Sequence, residues 1–187
     1  MSRLPEQLEV FNPLSFPEHP GEKMNTDVIK RSGQLILVTV DLFSFFITSC
    51  LIPSEKSDDL AAGIIQTVTP IRRAQRVNVR VDKAPGLTKL ANSTNSLLDQ
   101  AGISLELGDD GNKNSNCSID KAISEFETEL KKLSPSAGKI NAADLAQVSL
   151  TLNRKTRNRG YSSEEINFSR DSFDHSNLVL DLSLIHI

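Results

Sequence analysis

Three aspartates in this 187-residue chain stand at positions from which acids could act together. Asp27 lies within the first apolar segment after the N-terminal prolines, and Asp82 follows the short β-branched run "NVRV". Asp120 stands near the start of a helix-like segment, after the polar stretch "GDDGNKNSN". Carboxylates that converge without cations nearby repel one another, so a divalent metal is their simplest shared partner. Oxygen-only ligands favour Mg²⁺ or Mn²⁺, and two such ions suit in-line displacement at phosphorus.

Simpler roles are open for each of these acids. Asp82 precedes a Pro-Gly turn, where aspartate is a common turn and N-cap residue. Asp120 in the first turn of a helix is also explained by the helix dipole. Asp41 ends another apolar segment and is an alternative to Asp27 as the first of the three acids. Glu125 is the alternative to Asp120 as the third.

The elements that would position these acids can be read from the hydrophobic periodicity. Strands are predicted over 25–31, 34–41, 44–52, 77–81 and 103–107. Helices are predicted over 57–71, before the Gly102 C-cap, over 118–133, from the Asn141 cap to 154, and from a capping-box-like start at Ser162. This order predicts an α/β fold with a five-stranded mixed sheet flanked by helices on both faces. The first and fourth strands should be neighbours, which would bring Asp27 beside Asp82.

Composition excludes several classes of protein. The net charge of −3 gives no global attraction to nucleic acid, so any basic surface must be local. Cys50 and Cys117 are too few for a disulfide framework, and none of the three histidines pairs with a cysteine at zinc spacing. The longest apolar run is broken by Asp41, so we expect no membrane span. A reduced intracellular compartment, nuclear or cytoplasmic, fits these features best.

Four stretches carry a resemblance to a known family. In chain order they are "TDVIKRSGQLILVTVDLFSFFITSCLIPSE", "VNVRVDKAPG", "GNKNSNCSIDKAISEFETEL" and "LNRKTRNRGYSSEE". Together they resemble the catalytic core of retroviral and LTR-retrotransposon integrases, over about residues 20–171. The resemblance implies an RNase H-like fold and a polynucleotidyl transferase.

The resemblance also implies a set of site residues. The family has a metal-binding triad of two aspartates and a glutamate, and its first two members match Asp27 and Asp82. The third matches Asp120, so this chain has aspartate where the family has glutamate. Lys83 and Ala84 follow the second acid, where family members often have Asn-Gly. Asp27, Asp82 and Asp120 are therefore the expected catalytic residues and the expected ligands of two Mg²⁺ or Mn²⁺ ions.

Basic residues near this triad are candidates for DNA contact. The resemblance points to Lys121 and Lys131 on the helix of the third acid, and the densest basic run contributes Arg154, Lys155 and Arg157. Cations near a helix end are equally explained as a solvated surface. A further strip could bind phosphate or lie in solvent, and it consists of Arg72, Arg73, Arg76 and Arg80.

The expected organisation is an extended Pro-rich linker over 1–24, an integrase-like core over 25–171 and a tail over 172–187. The final "LSLIHI" reads like a translated library adapter, so this terminus could be sequencing-derived. The expected function is metal-dependent 3′-end processing and strand transfer of DNA by a fragment of a retroelement polyprotein. The alternative is an inactive or domesticated module for DNA binding or dimerisation. DNA and a homodimer or higher oligomer are the expected partners.

Overall fold

The computed structural model describes residues 17–108, 117–134, 138–157 and 160–179. Its strands are β1 (Lys23–Arg31), β2 (Gln34–Asp41), β3 (Ile47–Ile52), β4 (Val77–Val81) and β5 (Ile103–Leu107). Its helices are α1 (Ser57–Val68), α2 (Pro85–Ala91), α3 (Ser96–Gln100), α4 (Cys117–Leu133), α5 (Ala142–Arg154) and α6 (Ser163–Phe168). Within the described parts of the chain, no helix is long and apolar enough to cross a membrane.

The five strands form one mixed sheet in the order β3-β2-β1-β4-β5. The first three strands pair antiparallel, as expected of a meander, and β4 and β5 add in parallel beside β1. A parallel strand needs a crossover, which the helix α1 supplies between β3 and β4. The predicted five-stranded α/β architecture is confirmed, and β1 and β4 are neighbours at the centre of the sheet.

The two faces of the sheet bury separate hydrophobic clusters. One cluster packs α1, α2 and α3 against residues such as Leu37, Val79 and Val81. The other packs α4 and α5 against Ile36, Val38 and Val40 on the opposite face. The apolar stripe predicted for α4 contributes to the second cluster through Ile119, Ala122, Phe126 and Leu130. Helices therefore cover both faces, and the first turn of α4 comes to lie on the second face.

Several element ends differ from those predicted, each for a local reason. β1 begins at Lys23 and Met24 is fully buried, so the last two residues of the predicted linker belong to the sheet. β3 begins at Ile47 because the preceding turn holds Phe45 at a φ of 59°. α1 ends at Val68, followed by Thr69 in a helical conformation, because Pro70 has no N–H to continue the helical hydrogen bonds. Two short helices, α2 and α3, replace the single one predicted before Gly102.

The local signals for caps and buried residues are found where the sequence predicted them. Asn141 and Ser162 each form a full capping box at the start of α5 and α6. Cys50 is buried and unpaired, and burial raises the pKa of its thiol to about 11. The polar loop before α4, the chain before residue 17 and the suspected adapter-derived end lie outside the described residues.

Candidate active site

The pairing of β1 with β4 places two of the predicted acids side by side. Thr26 of β1 is the register partner of Val81 of β4, and each is followed by an aspartate, Asp27 and Asp82. Neighbouring strands lie about 4.8 Å apart, so the two aspartates leave the backbone at adjacent points. Strand pairing thus brings together two acids, Asp27 and Asp82, that are far apart in the sequence.

The face on which these acids lie follows from the side chains next to them. Thr26 is buried towards α1, where its hydroxyl lies 2.8 Å from that of Thr39, which in turn lies 2.7 Å from Thr67 on α1. Because side chains alternate along a strand, Asp27 must project to the opposite face, which α4 and α5 cover. Ile29, two residues further along β1, lies in the cluster on that same face.

The helix α4 brings the third acid to this face. Burial raises the pKa of Asp27 above its usual 3.8, and the carboxylates of Asp82 and Asp120 raise it further, against a lowering hydrogen bond from Val28. Like charges act on a pKa in this way only when they lie near one another. Asp27 is half-buried, and both Asp82 and Asp120 are exposed at the rim. The three side chains therefore lie near one another, and we call the region that they border the acid cleft.

Two of the acids are also oriented by their own backbone. Oδ1 of Asp27 accepts a 2.7 Å hydrogen bond from the Val28 N–H, and Oδ1 of Asp82 accepts a 2.8 Å bond from the Lys83 N–H. A carboxylate held by one oxygen keeps capacity on the other. The acid cleft thus contains mutually repelling carboxylates, one half-buried and two exposed, and oxygen donors with negative charge are what Mg²⁺ and Mn²⁺ prefer.

The acid cleft does not form a complete metal site. Among the described residues, no three His, Cys, Asp or Glu side chains are grouped closely enough to hold an ion as they stand. The donor types and the repulsion fit a divalent cation, but the carboxylate oxygens would have to come closer together to hold one.

Asp41, the rival for the first position, has a structural role. Its carboxylate is fully buried at the end of β2 and accepts hydrogen bonds from the Gly21 N–H (2.8 Å) and from the N–H (2.7 Å) and hydroxyl (2.6 Å) of Ser44. These bonds fix the turn into β3 and tie residue 21 to the sheet. Burial nevertheless raises the pKa of Asp41, with the bonds from Ser44, Gly21 and Phe43 acting in the lowering direction.

Glu125, the fallback for the third acid, faces a different partner. Its Oε2 lies 3.5 Å from Nη1 of Arg157, in a half-buried ion pair between α4 and the segment before α6. Arg157 also donates from Nε to the Ser163 hydroxyl at 3.0 Å and lies over the Phe45 ring. The carboxylates that raise the pKa of Asp27 are those of Asp82 and Asp120.

The other predicted DNA contacts are spread over the surface. Lys121, Lys131 and Lys155 are exposed, and Lys121 follows Asp120 directly at the start of α4. Arg154 is exposed and paired with Glu164, with 3.0 Å between Nε and Oε2. Arg157 is half-buried, and its guanidinium contacts Ser163, Glu125 and the Phe45 ring.

The predicted arginine strip does not act as a single surface. Arg72 donates to the backbone carbonyl oxygens of Ala74, Gln75 and Ala101, and so braces the turn that leads into β4. Arg73 lies over the ring of Phe168, with Cζ 4.8 Å from the ring centroid. The remaining members, Arg76 and Arg80, are exposed and half-buried respectively.

Sequence reasoning missed one polar residue of the acid cleft. Asn25 lies two positions before Asp27, on the same face of β1, and only 2% of it is exposed. Its Oδ1 is buried and has no hydrogen-bond partner within the described residues. The alternation of the strand carried this signal, because residues 25, 27 and 29 share one face. A buried amide next to the carboxylates adds a polar group with unused hydrogen-bonding capacity.

Comparison with known proteins gives the fold. The chain is similar to the crystal structure of the catalytic core domain of BIV integrase, with a TM-score of 0.64 and 21% sequence identity. The similarity covers 80% of this chain and 95% of that domain. No protein-family model matches the sequence. No curated protein matches it either. The chain therefore has the RNase H-like fold of an integrase catalytic core.

Proposed function

We propose that this chain is the catalytic core of a retroelement integrase, which processes DNA 3′ ends and joins them to a target. The proposal rests on the pairing of β1 with β4, which sets Asp27 beside Asp82, and on the carboxylates of Asp82 and Asp120, which raise the pKa of Asp27. The fold it shares with the BIV integrase core supports the same reaction class. The acids lie at the central strand pair and the start of a helix, which fixes their backbones.

Asp27, Asp82 and Asp120 would hold the divalent ions, two Mg²⁺ or Mn²⁺. Bound ions of this kind activate an attacking water or 3′-hydroxyl and stabilise charge on the leaving oxygen. The protein contributes the negative charge that attracts them and a half-buried position for Asp27, where water screens its charge less. Asn25, on the same face, has a buried Oδ1 without a partner among the described residues, and this oxygen would accept a hydrogen bond from a donor such as water.

The exposed lysines would hold the DNA. Lys121 stands beside Asp120 and would place a positive charge next to the scissile phosphate. Lys131 and Lys155 extend the positive charge along α4 and beyond α5. Such contacts bind any sequence and weaken as salt increases. Arg154 and Arg157 would contribute mainly by holding α5, α6 and α4 together through Glu164 and Glu125.

Strand cleavage and transfer on a short labelled duplex with Mn²⁺ test this proposal. Asp27→Asn and Asp82→Asn should each lower the rate at least about a hundredfold, the equivalent of losing ~2.7 kcal/mol of transition-state stabilisation. Asp99→Asn is the matched control, because Asp99 is an exposed acid on α3. Activity that survives Asp82→Asn would reject the assignment.

A second candidate function is an inactive core that retains a DNA-binding or dimerisation surface. It is favoured by Asp120, whose side chain is one methylene shorter than the glutamate of the family, and by the open spacing of the acids. Binding of duplex DNA that is unchanged by Mn²⁺ and by Asp27→Asn, without any cleavage, would support this candidate. Binding that tightens with Mn²⁺ in a manner dependent on Asp27 would favour the enzyme.

A further inference from the structure

An open cavity of about 970 Å³ lies at the end of the sheet away from the acid cleft. It is bordered by α6, the turn after α6, Pro20 before β1 and Arg73 before β4. Asp82 follows β4 at its other end, and five residues of parallel strand rise roughly 17 Å. The cavity is therefore separate from the acid cleft, and its volume is that of a small-molecule site.

A planar cation is held fixed in the wall of this cavity. Arg73 lies over Phe168 at 4.8 Å, and its Nη2 donates to the backbone carbonyl of Asn167 at 3.3 Å. Phe168 is itself steadied by the edge of Phe46, with 5.6 Å between the ring centroids. A guanidinium plane fixed in this way is a surface on which a nucleobase can stack.

A buried amide lines the same cavity without a partner. Only 3% of Asn167 is exposed, and neither Oδ1 nor Nδ2 has a hydrogen-bond partner among the described residues. Buried polar atoms are nearly always satisfied, so an amide with both atoms unpaired needs a reason. A side-chain amide presents a donor beside an acceptor, which matches the N6 and N7 edge of adenine.

Three carboxylates line the cavity, and Oδ1 of Asp171 accepts hydrogen bonds from the N–H groups of Phe173 and Asp174. Glu164 is paired with Arg154, and Glu165 accepts hydrogen bonds from the Ser162 N–H and from the N–H and hydroxyl of Ser172. The Arg170 guanidinium also lines the cavity, and within the described chain it makes no hydrogen bond or ion pair. An arginine is well suited to pair with a phosphate through two parallel hydrogen bonds.

We propose that this cavity binds a purine nucleotide unit, with its base stacked on Arg73 and read by Asn167 and its phosphate paired with Arg170. The unit could be a free mononucleotide or an unpaired nucleotide within a single strand, since both present the same base and phosphate. The inference uses none of the residues of the acid cleft, so it holds or fails independently of the proposed function.

Isothermal titration of the full chain tests the site with four probes: dAMP, deoxyadenosine, inorganic phosphate and a single-stranded oligo-dA. We expect dAMP to bind more tightly than deoxyadenosine or phosphate alone. Tighter binding of oligo-dA than of dAMP would assign the site to a strand, and the reverse order would assign it to a free nucleotide. No heat with either dAMP or oligo-dA at about 5 mM would overturn the proposal.

Variants separate the two halves of the site. Arg170→Ala should weaken dAMP by about tenfold or more, as expected for one lost charge-assisted bond, and leave deoxyadenosine unchanged. Asn167→Ala should weaken both ligands, with circular dichroism used to check folding. Arg76→Ala is the matched control, because Arg76 is exposed and does not line the cavity. Equal affinity of dAMP for wild type and Arg170→Ala would overturn the proposal, as would phosphate binding as tightly as dAMP.

Discussion

At the scale of the residue, the acid cleft places charge where it is unfavourable. Asp27 is half-buried, and its pKa is raised by that burial and by the carboxylates of Asp82 and Asp120. A protein does not gain stability from such a group unless a cation or proton neutralises it. Half-buried charges with perturbed pKa values are typical of functional positions, where a protein keeps a residue needed for chemistry at the expense of stability.

The pH dependence of stability should show this cost in metal-free protein. Because the folded state holds the Asp27 proton more tightly than the unfolded chain, the stability it contributes is greatest below its usual pKa of 3.8. That contribution is lost as the pH rises through the raised pKa. Urea denaturation at pH 7 in EDTA should therefore give Asp27→Asn a higher free energy of unfolding than wild type. The difference should be up to about 1 kcal/mol, a figure that allows for solvent screening.

The comparison with wild type isolates Asp27 from Asp41, whose pKa is also raised by burial. The advantage of Asp27→Asn should shrink as the pH falls through the raised pKa of Asp27, and should be smallest below its usual pKa of 3.8, where the carboxyl group is protonated. Asn keeps the oxygen that accepts from Val28, so the local backbone bond survives the change. A wild type that is more stable than the variant at pH 7 would contradict the electrostatic account.

Restoring the longer acid tests the third position. Asp120→Glu adds one methylene at the rim of the acid cleft, where the described acids are not yet close enough to hold an ion. We expect it to tighten Mn²⁺ binding by about three- to tenfold, the equivalent of ~0.7–1.4 kcal/mol. Asp99→Glu makes the same change on the exposed surface of α3 and should have no effect. Mn²⁺ binding that is the same in Asp120→Glu as in wild type would show that position 120 is not a ligand.

At the scale of the element, long-range backbone pairing positions the site. β1 and β4 are joined by parallel pairs from Lys23 with Asn78 to Thr26 with Val81, and this register sets Asp27 beside Asp82. At the other edge of the sheet lies β3, and α5 supplies hydrogen bonds to the backbone of its first residue, Ile47. Asn153 of α5 accepts from the Ile47 N–H and donates to the Ile47 carbonyl, both at 2.8 Å, although 106 residues separate them.

Asn153→Ala should therefore destabilise the fold more than an ordinary surface change. It leaves two backbone groups of Ile47 without partners, and we expect a loss of ~2–3 kcal/mol in the free energy of unfolding. Urea denaturation measures this loss. Asn78→Ala, at an exposed position of β4, is the control and should change stability by less than about 0.5 kcal/mol. Equal stabilities of the two variants would contradict the role given to Asn153.

Local signals in the sequence predicted the helices and strands better than they predicted the side-chain contacts between them. The capping boxes at Asn141 and Ser162 were readable, because cap and partner lie three residues apart. The strand and helix order was sufficient to predict that β1 and β4 are adjacent. The burial of the Asn153 and Asn167 amides could not be predicted from the sequence, since each is buried by segments distant in sequence. Arg72 looked like a phosphate contact but braces a turn, because its three carbonyl acceptors are brought close only by folding.

At the scale of the whole molecule, the sheet separates two polar sites. The acid cleft lies beyond the C-terminal end of β4, and the cavity beside α6 lies near its N-terminal end. Hydrophobic clusters on both faces of the sheet hold the two ends in a fixed relation. The proposed integrase function uses the first site, and the proposed nucleotide binding uses the second.

The central claim is that Asp27, Asp82 and Asp120 form one divalent-metal site, and calorimetric titration with Mn²⁺ tests it most directly. Wild type and the Asp99→Asn control should show the same saturable binding, while Asp27→Asn and Asp82→Asn should each weaken it by about tenfold or more. A wild type that shows no binding up to about 5 mM Mn²⁺, or an Asp82→Asn variant that binds as tightly as wild type, would contradict the account.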